Sequence, residues 1–277
     1  MLDLQSLEPL LRAALAEDIG PGDVTAGLLV PPGARGKARI RAKAPGILAG
    51  LTVAARVLEL AGEVSVRLLA KDGQRVEPDQ GVLEAEGDAA ALLRGERTAL
   101  NFLGRLSGVA TLTGRFVEAV EGTGASILDT RKTTPGWRRL ERHAVQAGGG
   151  VNHRFALYDA VLVKENHLAF GADLAQALAR RPAGMEAIVE AETLEEFRSA
   201  LAAGADVVML DEFSPADVRL ARQERGDRAK PLLEVSGGIT LDNVRAYAEA
   251  GADRISIGAL THSAPALDLS MLMAPAT

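Results

Sequence analysis

The sequence predicts an α/β protein in two parts, a small sheet domain followed by a (β/α) barrel. Three observations carry that reading. The chain has 277 residues, more than a typical single domain. Residues 35–87 alternate short β-like runs with Gly/Pro turns, and from about residue 125 short apolar runs alternate with helix-like segments.

The opening stretch MLDLQSLEPLLRAALAEDIG reads as an amphipathic helix with acidic residues throughout. It lacks the basic n-region and small-residue cleavage site of a secretory leader, so the cytoplasm is the expected location. KARIRAKAPGILAG, VSVRLLAKDGQRV and GVLEAEG follow as strands of a mostly antiparallel sheet, with TVAARVLELAGE as a helix between them. ALLRGERTALNFLGRLSGVATLTGRFVEAVEG keeps helical spacing for several turns and leads from the first domain to the second. Gly104, Gly108 and Gly114 are expected to break or kink it.

Beyond it, ASILDT, AVLVKENH, EAIVEAE, DVVMLDE, PLLEVSGG and DRISIGAL read as about six parallel strands. Segments such as TLEEFRSALAAGA and TLDNVRAYAEAGA supply the intervening helices. Six βα units fit a short or incomplete barrel.

Composition narrows the function. The apolar fraction is 47% and the charged fraction 25%, as in ordinary globular proteins, and no apolar run is long enough to span a bilayer. Cysteine is absent, which excludes disulfides, thiolate catalysis and zinc–thiolate sites. A formal charge of −6 argues against nucleic-acid binding, and any anion site must gather its cations at one place.

Such gathering is expected at the strand ends. A parallel strand buried on both faces should be apolar throughout, and in barrels the active site sits at the C-terminal ends. Here ILD runs into Asp129, Arg131 and Lys132, and VLV into Lys164, Asn166 and His167. IVE ends at Glu190 and VML at Asp211; LLEV leads to Ser236-Gly237-Gly238 and ISI to Gly258. The two glycine turns suit a phosphate, with Thr240 the expected N-cap of the helix after the first of them. Gly148-Gly149-Gly150 delivers Asn152, His153 and Arg154 just before the strand that ends at Lys164. Arg97 reads by itself as a surface charge. A ligand with phosphates and further negative groups fits these cations, and the carboxylates could hold Mg²⁺ or ribose hydroxyls. Spacing names no reaction.

The motifs EDIGPGDVT, GERTALNFLGRLSGVAT, DTRKTTPGWR, GGGVNHR, VKENH, SGGIT and ISIGALTHS occur in this order over nearly the whole chain. In them the sequence resembles the quinolinate phosphoribosyltransferase family. The resemblance implies an N-terminal α/β sandwich domain and a C-terminal incomplete (β/α) barrel of about six or seven strands. We set the first at residues 1–108, with the tail 265–277 packing back on it, and the barrel at 109–264.

The resemblance also implies decarboxylating transfer of a phosphoribosyl group from phosphoribosyl pyrophosphate to quinolinate in NAD biosynthesis, with Mg²⁺ as cofactor. It implies a homodimer in which Arg97 reaches the partner's active site, which replaces the surface-charge reading. Nucleic acid and membrane are not expected partners. By the same resemblance Arg131, His153, Arg154 and Arg97 bind the quinolinate carboxylates, and Lys132 and Lys164 lie near the pyrophosphate and the reacting ring. Glu190 and Asp211 contact ribose hydroxyls or the metal. Ser236, Gly237 and Gly258 hold the 5′-phosphate, with His262 in the adjoining loop.

Three positions depart from the family's usual pattern. Ile188 replaces a carboxylate, Glu212 replaces an amide, and KENH stands for KDNH. Trp137, the only tryptophan, is read as a packing residue at a subunit contact.

Overall fold

The structure is a computed structural model that describes residues 2–276. In chain order the elements begin with α1 (Leu4–Ile19), α2 (Val24–Leu29), β1 (Arg35–Ala42), β2 (Gly46–Ile47), α3 (Leu51–Leu60), β3 (Val64–Leu68), β4 (Arg75–Val76) and β5 (Gly81–Asp88). Then come α4 (Ala89–Ala119), β6 (Ser126–Leu128), α5 (Arg138–Ala147), β7 (Val161–Val163), α6 (Glu165–Leu168), α7 (Leu174–Ala179) and β8 (Ala187–Ala191). The last are α8 (Leu194–Ala202), β9 (Val207–Asp211), α9 (Pro215–Arg225), β10 (Leu232–Ser236), α10 (Val244–Glu249), β11 (Arg254–Ser256), α11 (Ala259–His262) and β12 (Leu269–Pro275). By their contacts they form two compact units: residues up to 114, 134–149 and 263 onward, and residues 115–133 with 150–262. No helix among the described residues is long and apolar enough to cross a membrane.

In the first unit α1 is capped by Asp3, whose carboxylate accepts the Gln5 N–H at 3.1 Å. It buries Leu7, Leu11 and Leu15, a one-turn spacing that makes a single apolar stripe. The sheet has the order β12-β1-β5-β3 and is antiparallel. In β1 Ala38, Ile40 and Ala42 are buried while the alternate residues carry charge. Lys37 faces Glu86 across the ladder, and Arg39 faces Glu84. β12 joins this sheet from the far end of the chain, with Ala42 opposite Leu269.

The expected break in α4 does not occur. The helix runs unbroken from Ala89 to Ala119, and its glycines are approach points rather than breakers. A Cβ on Gly108 would lie 2.1 Å from the Pro265 carbonyl oxygen, and one on Gly104 would lie 3.0 Å from that of Leu267. The segment before β12 crosses the helix there, with the Leu267 N–H donating to the Gly104 carbonyl at 2.9 Å. Trp137 stacks on Phe102 of α4, with centroids 4.5 Å apart and planes 11° from parallel.

In the second unit six parallel strands have the order β6-β11-β10-β9-β8-β7. β6 and β7 are the two edges and do not pair, so the barrel is incomplete. Val151 bridges Leu128 on the open side of β6. The sheet is nevertheless curled. Arg254, at the start of β11, is 3.0 Å from Glu186, just before β8, although two strands separate these elements. In a flat sheet their backbones would stand roughly 14 Å apart, a span these side chains bridge only when fully extended.

Candidate active site

The curl brings the ends of all six strands around one cavity of about 590 Å³ in the second unit. Its wall includes Arg131 and Lys132 after β6, Lys164 after β7, Glu190 of β8 and Asp211 of β9. Ser236, Gly237 and Gly238 follow on β10 and its turn, and Gly258 and His262 at the end of β11. His153 and Arg154 complete it from the segment beside β6. Eleven of the twelve residues expected in the site therefore line one cavity, because each strand contributes its end to the same face. Arg97 is not among them; it is an exposed residue of α4 in the first unit.

Local chemistry places each group. Lys132 extends over Gly258, where a Cβ would lie 2.9 Å from its Cδ and 3.1 Å from His262 Nε2. Thr261 fixes the same loop by donating its hydroxyl to the Lys132 carbonyl at 2.8 Å. Lys164 begins α6, and its N–H donates to His167 Nδ1 at 3.0 Å, so His167 serves the turn rather than the cavity. The Lys164 ammonium is paired with the Glu190 carboxylate. Asp129 is fully buried and accepts the His153 N–H at 2.7 Å, so it anchors the neighbouring segment. Arg154 donates to the Ala160 carbonyl at 3.2 Å. Burial and then the nearby Arg131 charge hold its pKa below the usual guanidinium value. The cations repel one another, and an anion would relieve that repulsion.

The opposite wall is acidic. Carboxylate oxygens of Glu190, Glu192 and Asp211 all lie within 4.8 Å of one another. The Glu192 pKa is raised by Glu165 first, then by burial and by Glu196, Asp211 and Glu190. Hard oxygen donors under mutual repulsion fit a cation such as Mg²⁺. Glu192 was not singled out in the sequence, although its spacing of two from Glu190 puts both on one face of β8 and its continuation.

The glycine turn after β10 has two successive left-handed residues, Gly237 at φ +91 and Gly238 at φ +58. It does not feed a helix capped by Thr240. α10 begins at Val244, and Asn243 ties the turn together by donating to the Gly238 carbonyl at 2.9 Å and accepting the Thr240 N–H at 2.8 Å. Anion-binding capacity there lies in the turn's own N–H groups.

Ile188 lies one layer below the mouth. It is 1% exposed and packs with Ala160, Val207 and Met209. Replacing a carboxylate there leaves Glu190 and Asp211 in the cavity wall. Another concavity, on the open face of the antiparallel sheet, is lined by the charge ladder of Lys37, Arg39, Glu84 and Glu86 and gathers no comparable set of groups.

Comparison with known proteins fits this geometry. The family model for the quinolinate phosphoribosyl transferase N-terminal domain matches residues 23–107, and that for its C-terminal domain matches residues 109–272. A Bacillus subtilis protein named probable nicotinate-nucleotide pyrophosphorylase (carboxylating) is 44% identical over 96% of this chain and 92% of its own. A Mycobacterium leprae nicotinate-nucleotide pyrophosphorylase (carboxylating) is 42% identical over 94% and 95%. The structure of the nicotinate-nucleotide pyrophosphorylase from Francisella tularensis superposes with a TM-score of 0.93 at 37% identity, covering 99% of this chain and 98% of that one.

Proposed function

The chain belongs to the quinolinate phosphoribosyltransferase family and is a phosphoribosyltransferase of NAD biosynthesis; we propose a reaction in which each wall of the cavity has its own task. Quinolinate and phosphoribosyl pyrophosphate give nicotinic acid mononucleotide, pyrophosphate and CO₂. The observation that carries this reading is the gathering of Arg131, Lys132, Arg154 and Lys164 with Glu190 and Asp211 in one cavity.

Arg131 and Arg154 hold the two carboxylates of the planar substrate, for which a guanidinium fork is better suited than an ammonium. Lys132 and Lys164 lie near the pyrophosphate and the ring, and Ser236, Gly237 and Gly258 receive the 5′-phosphate, with His262 beside them. Glu190 and Asp211 hold ribose hydroxyls and are the ligands proposed for Mg²⁺. When bound, Mg²⁺ supplies charge neutralisation for the pyrophosphate.

The C1–O bond of the ribose breaks with its electron pair leaving on pyrophosphate, and the pyridine nitrogen lone pair forms the C1–N bond. The lysines stabilise the charge that develops on the leaving group, and the arginines set the ring's attitude. The alkylated nitrogen is then cationic and adjoins the C2 carboxylate. The C2–carboxylate bond breaks, its electron pair stays on C2 beside N⁺, and a proton fills that position. The substrate is its own electron sink.

The enzyme acts as a homodimer in which Arg97 of each copy completes the cavity of the other. The exposure of Arg97 on α4 supports this. We assign the reaction to the cytoplasm, where phosphorylated substrates too charged to cross a membrane unaided are retained.

The test is product formation from quinolinate, phosphoribosyl pyrophosphate and Mg²⁺, with nicotinate as the parallel substrate. CO₂ and nicotinic acid mononucleotide from quinolinate alone support the reading. Turnover of nicotinate instead discards the dicarboxylate assignment.

A further inference from the structure

Beneath the mouth of the parallel sheet, the next inward layer is apolar at Leu162, Ile188 and Met209. Glu234 breaks it. This residue lies on β10 two positions before Ser236, hence on the same face, and is 0% exposed. A buried carboxylate is costly unless a nearby group compensates it. Neither Glu234 oxygen has an aligned hydrogen bond among the described residues, but Oε1 lies 3.0 Å from Nε2 of His153, within ion-pair range.

His153 also contacts Arg154 and Asp129. Its Nδ1 accepts the Arg154 N–H at 2.7 Å, and its own N–H donates to Asp129 at 2.7 Å. A ring nitrogen that accepts carries no proton, so the ring proton sits on Nε2, the nitrogen nearest Glu234. The chain of contacts runs from Glu234 through the imidazole to the backbone of Arg154, whose guanidinium lines the cavity.

We propose that Glu234 is a positioning residue for the carboxylate-binding cations: it holds His153 in the Nε2-protonated tautomer, so that the imidazole sets the Arg154 backbone. This rests on reading the cationic wall as the quinolinate site.

The experiment has a spectroscopic arm and a kinetic arm, both on the full chain. In ¹⁵N-histidine-labelled protein without substrate, the His153 resonances, identified by their loss in His153→Asn, should show the Nε2-protonated tautomer. Glu234→Leu keeps side-chain bulk but removes the acceptor. It should abolish that single tautomer and raise KM for quinolinate about tenfold or more, the loss expected for a misdirected charged contact. KM for phosphoribosyl pyrophosphate should stay within about twofold, since that substrate is assigned to the lysines, the carboxylates and the glycine turns rather than to Arg154. Glu234→Gln retains an oxygen acceptor and should restore both the tautomer and most of the quinolinate affinity.

An Nδ1-protonated His153 in the unaltered protein overturns the proposal whatever the kinetics, and decides it alone if Glu234→Leu does not fold. Equal rises in both KM values, or no rescue by Glu234→Gln, also overturn it. If quinolinate is not a substrate at all, the function reading fails, while the tautomer measurement still stands or falls independently.

Discussion

The ammonium of Lys164, after β7, is ion-paired with the carboxylate of Glu190 on the adjacent strand β8, with the lysine side chain 46% exposed and the glutamate 9%. This contact joins the cationic and acidic walls. In the absence of substrate the lysine partly neutralises the carboxylates proposed as metal ligands. Lys164→Met should therefore strengthen Mg²⁺ binding to the substrate-free protein, by roughly tenfold for one removed neighbouring charge. Turnover should fall about 10²- to 10³-fold, the loss expected from the leaving-group role proposed for Lys164. Titration calorimetry without substrate and steady-state kinetics check the two halves separately.

Arg97 provides a test of shared sites. Arg97→Ala and Lys164→Met should each be nearly inactive. If Arg97 serves the other copy's cavity, a mixed dimer carries one intact site. Mixing the two variants with subunit exchange should then restore about a quarter of full activity, from half the dimers with half their sites. Activity that stays at the level of the separate variants would mean that each copy uses its own Arg97.

Glu212 stands in the left-handed region at φ +56, which residues other than Gly, Asn and Asp adopt only with strain. Its carboxylate also lies over the glycine turn, 2.5 Å from the position a Gly237 Cβ would take. Glu212→Asn should stabilise the protein by roughly 0.5–1 kcal/mol, a rise in Tm of about 1–4 °C. With a negative charge removed beside the proposed phosphate turn, KM for phosphoribosyl pyrophosphate should fall by about two- to tenfold. A melting curve and one saturation curve suffice.

Asp72 links two elements of the first unit. Its carboxylate accepts the Leu51 N–H at 3.0 Å, at the start of α3, and lies 2.7 Å from His143 Nε2 of α5. Burial pushes its pKa up, but His143 and the backbone N–H groups of Leu51 and Gly50 outweigh burial and hold it below the usual value. A depressed folded-state pKa means stability that is present above the unfolded value, near 4, and lost as pH falls through the folded one. Asp72→Ala should cost about 1–2 kcal/mol at neutral pH, as for a lost helix cap. The gap in Tm between variant and parent should narrow below roughly pH 4. A gap independent of pH would show that the ionised carboxylate is not what matters.

Much of the fold was legible because it is written in periodicity. The one-turn spacing of Leu7, Leu11 and Leu15 marks a helix stripe, and apolar runs such as VLV and VML mark strands buried on both faces. Lys164, Glu190 and Asp211 stood out for the same reason, as charges where a buried strand must end. Arg97 did not, because a charged residue on a helix has the same local signature whether it faces solvent or another copy; only the family resemblance raised it. Glu192 was hidden in an ordinary acidic helix start, and Glu234 in a strand that otherwise reads as apolar.

The sequence by itself determined the order of elements, the strand-end cluster and the family, since these depend on local residue patterns. Only the tertiary structure decided what each group faces. Gly104 and Gly108 looked like helix breakers until the segment at Pro265 and Leu267 was found against them. Ile188 looked like a lost ligand until it was placed one layer below the cavity. Asp129 looked like a site group until its buried carboxylate was seen to accept the His153 N–H. The physical reason is the same in each case. Propensity and periodicity act over a few residues, whereas a side chain's charge, burial and partners are set by elements that folding brings together from distant parts of the chain.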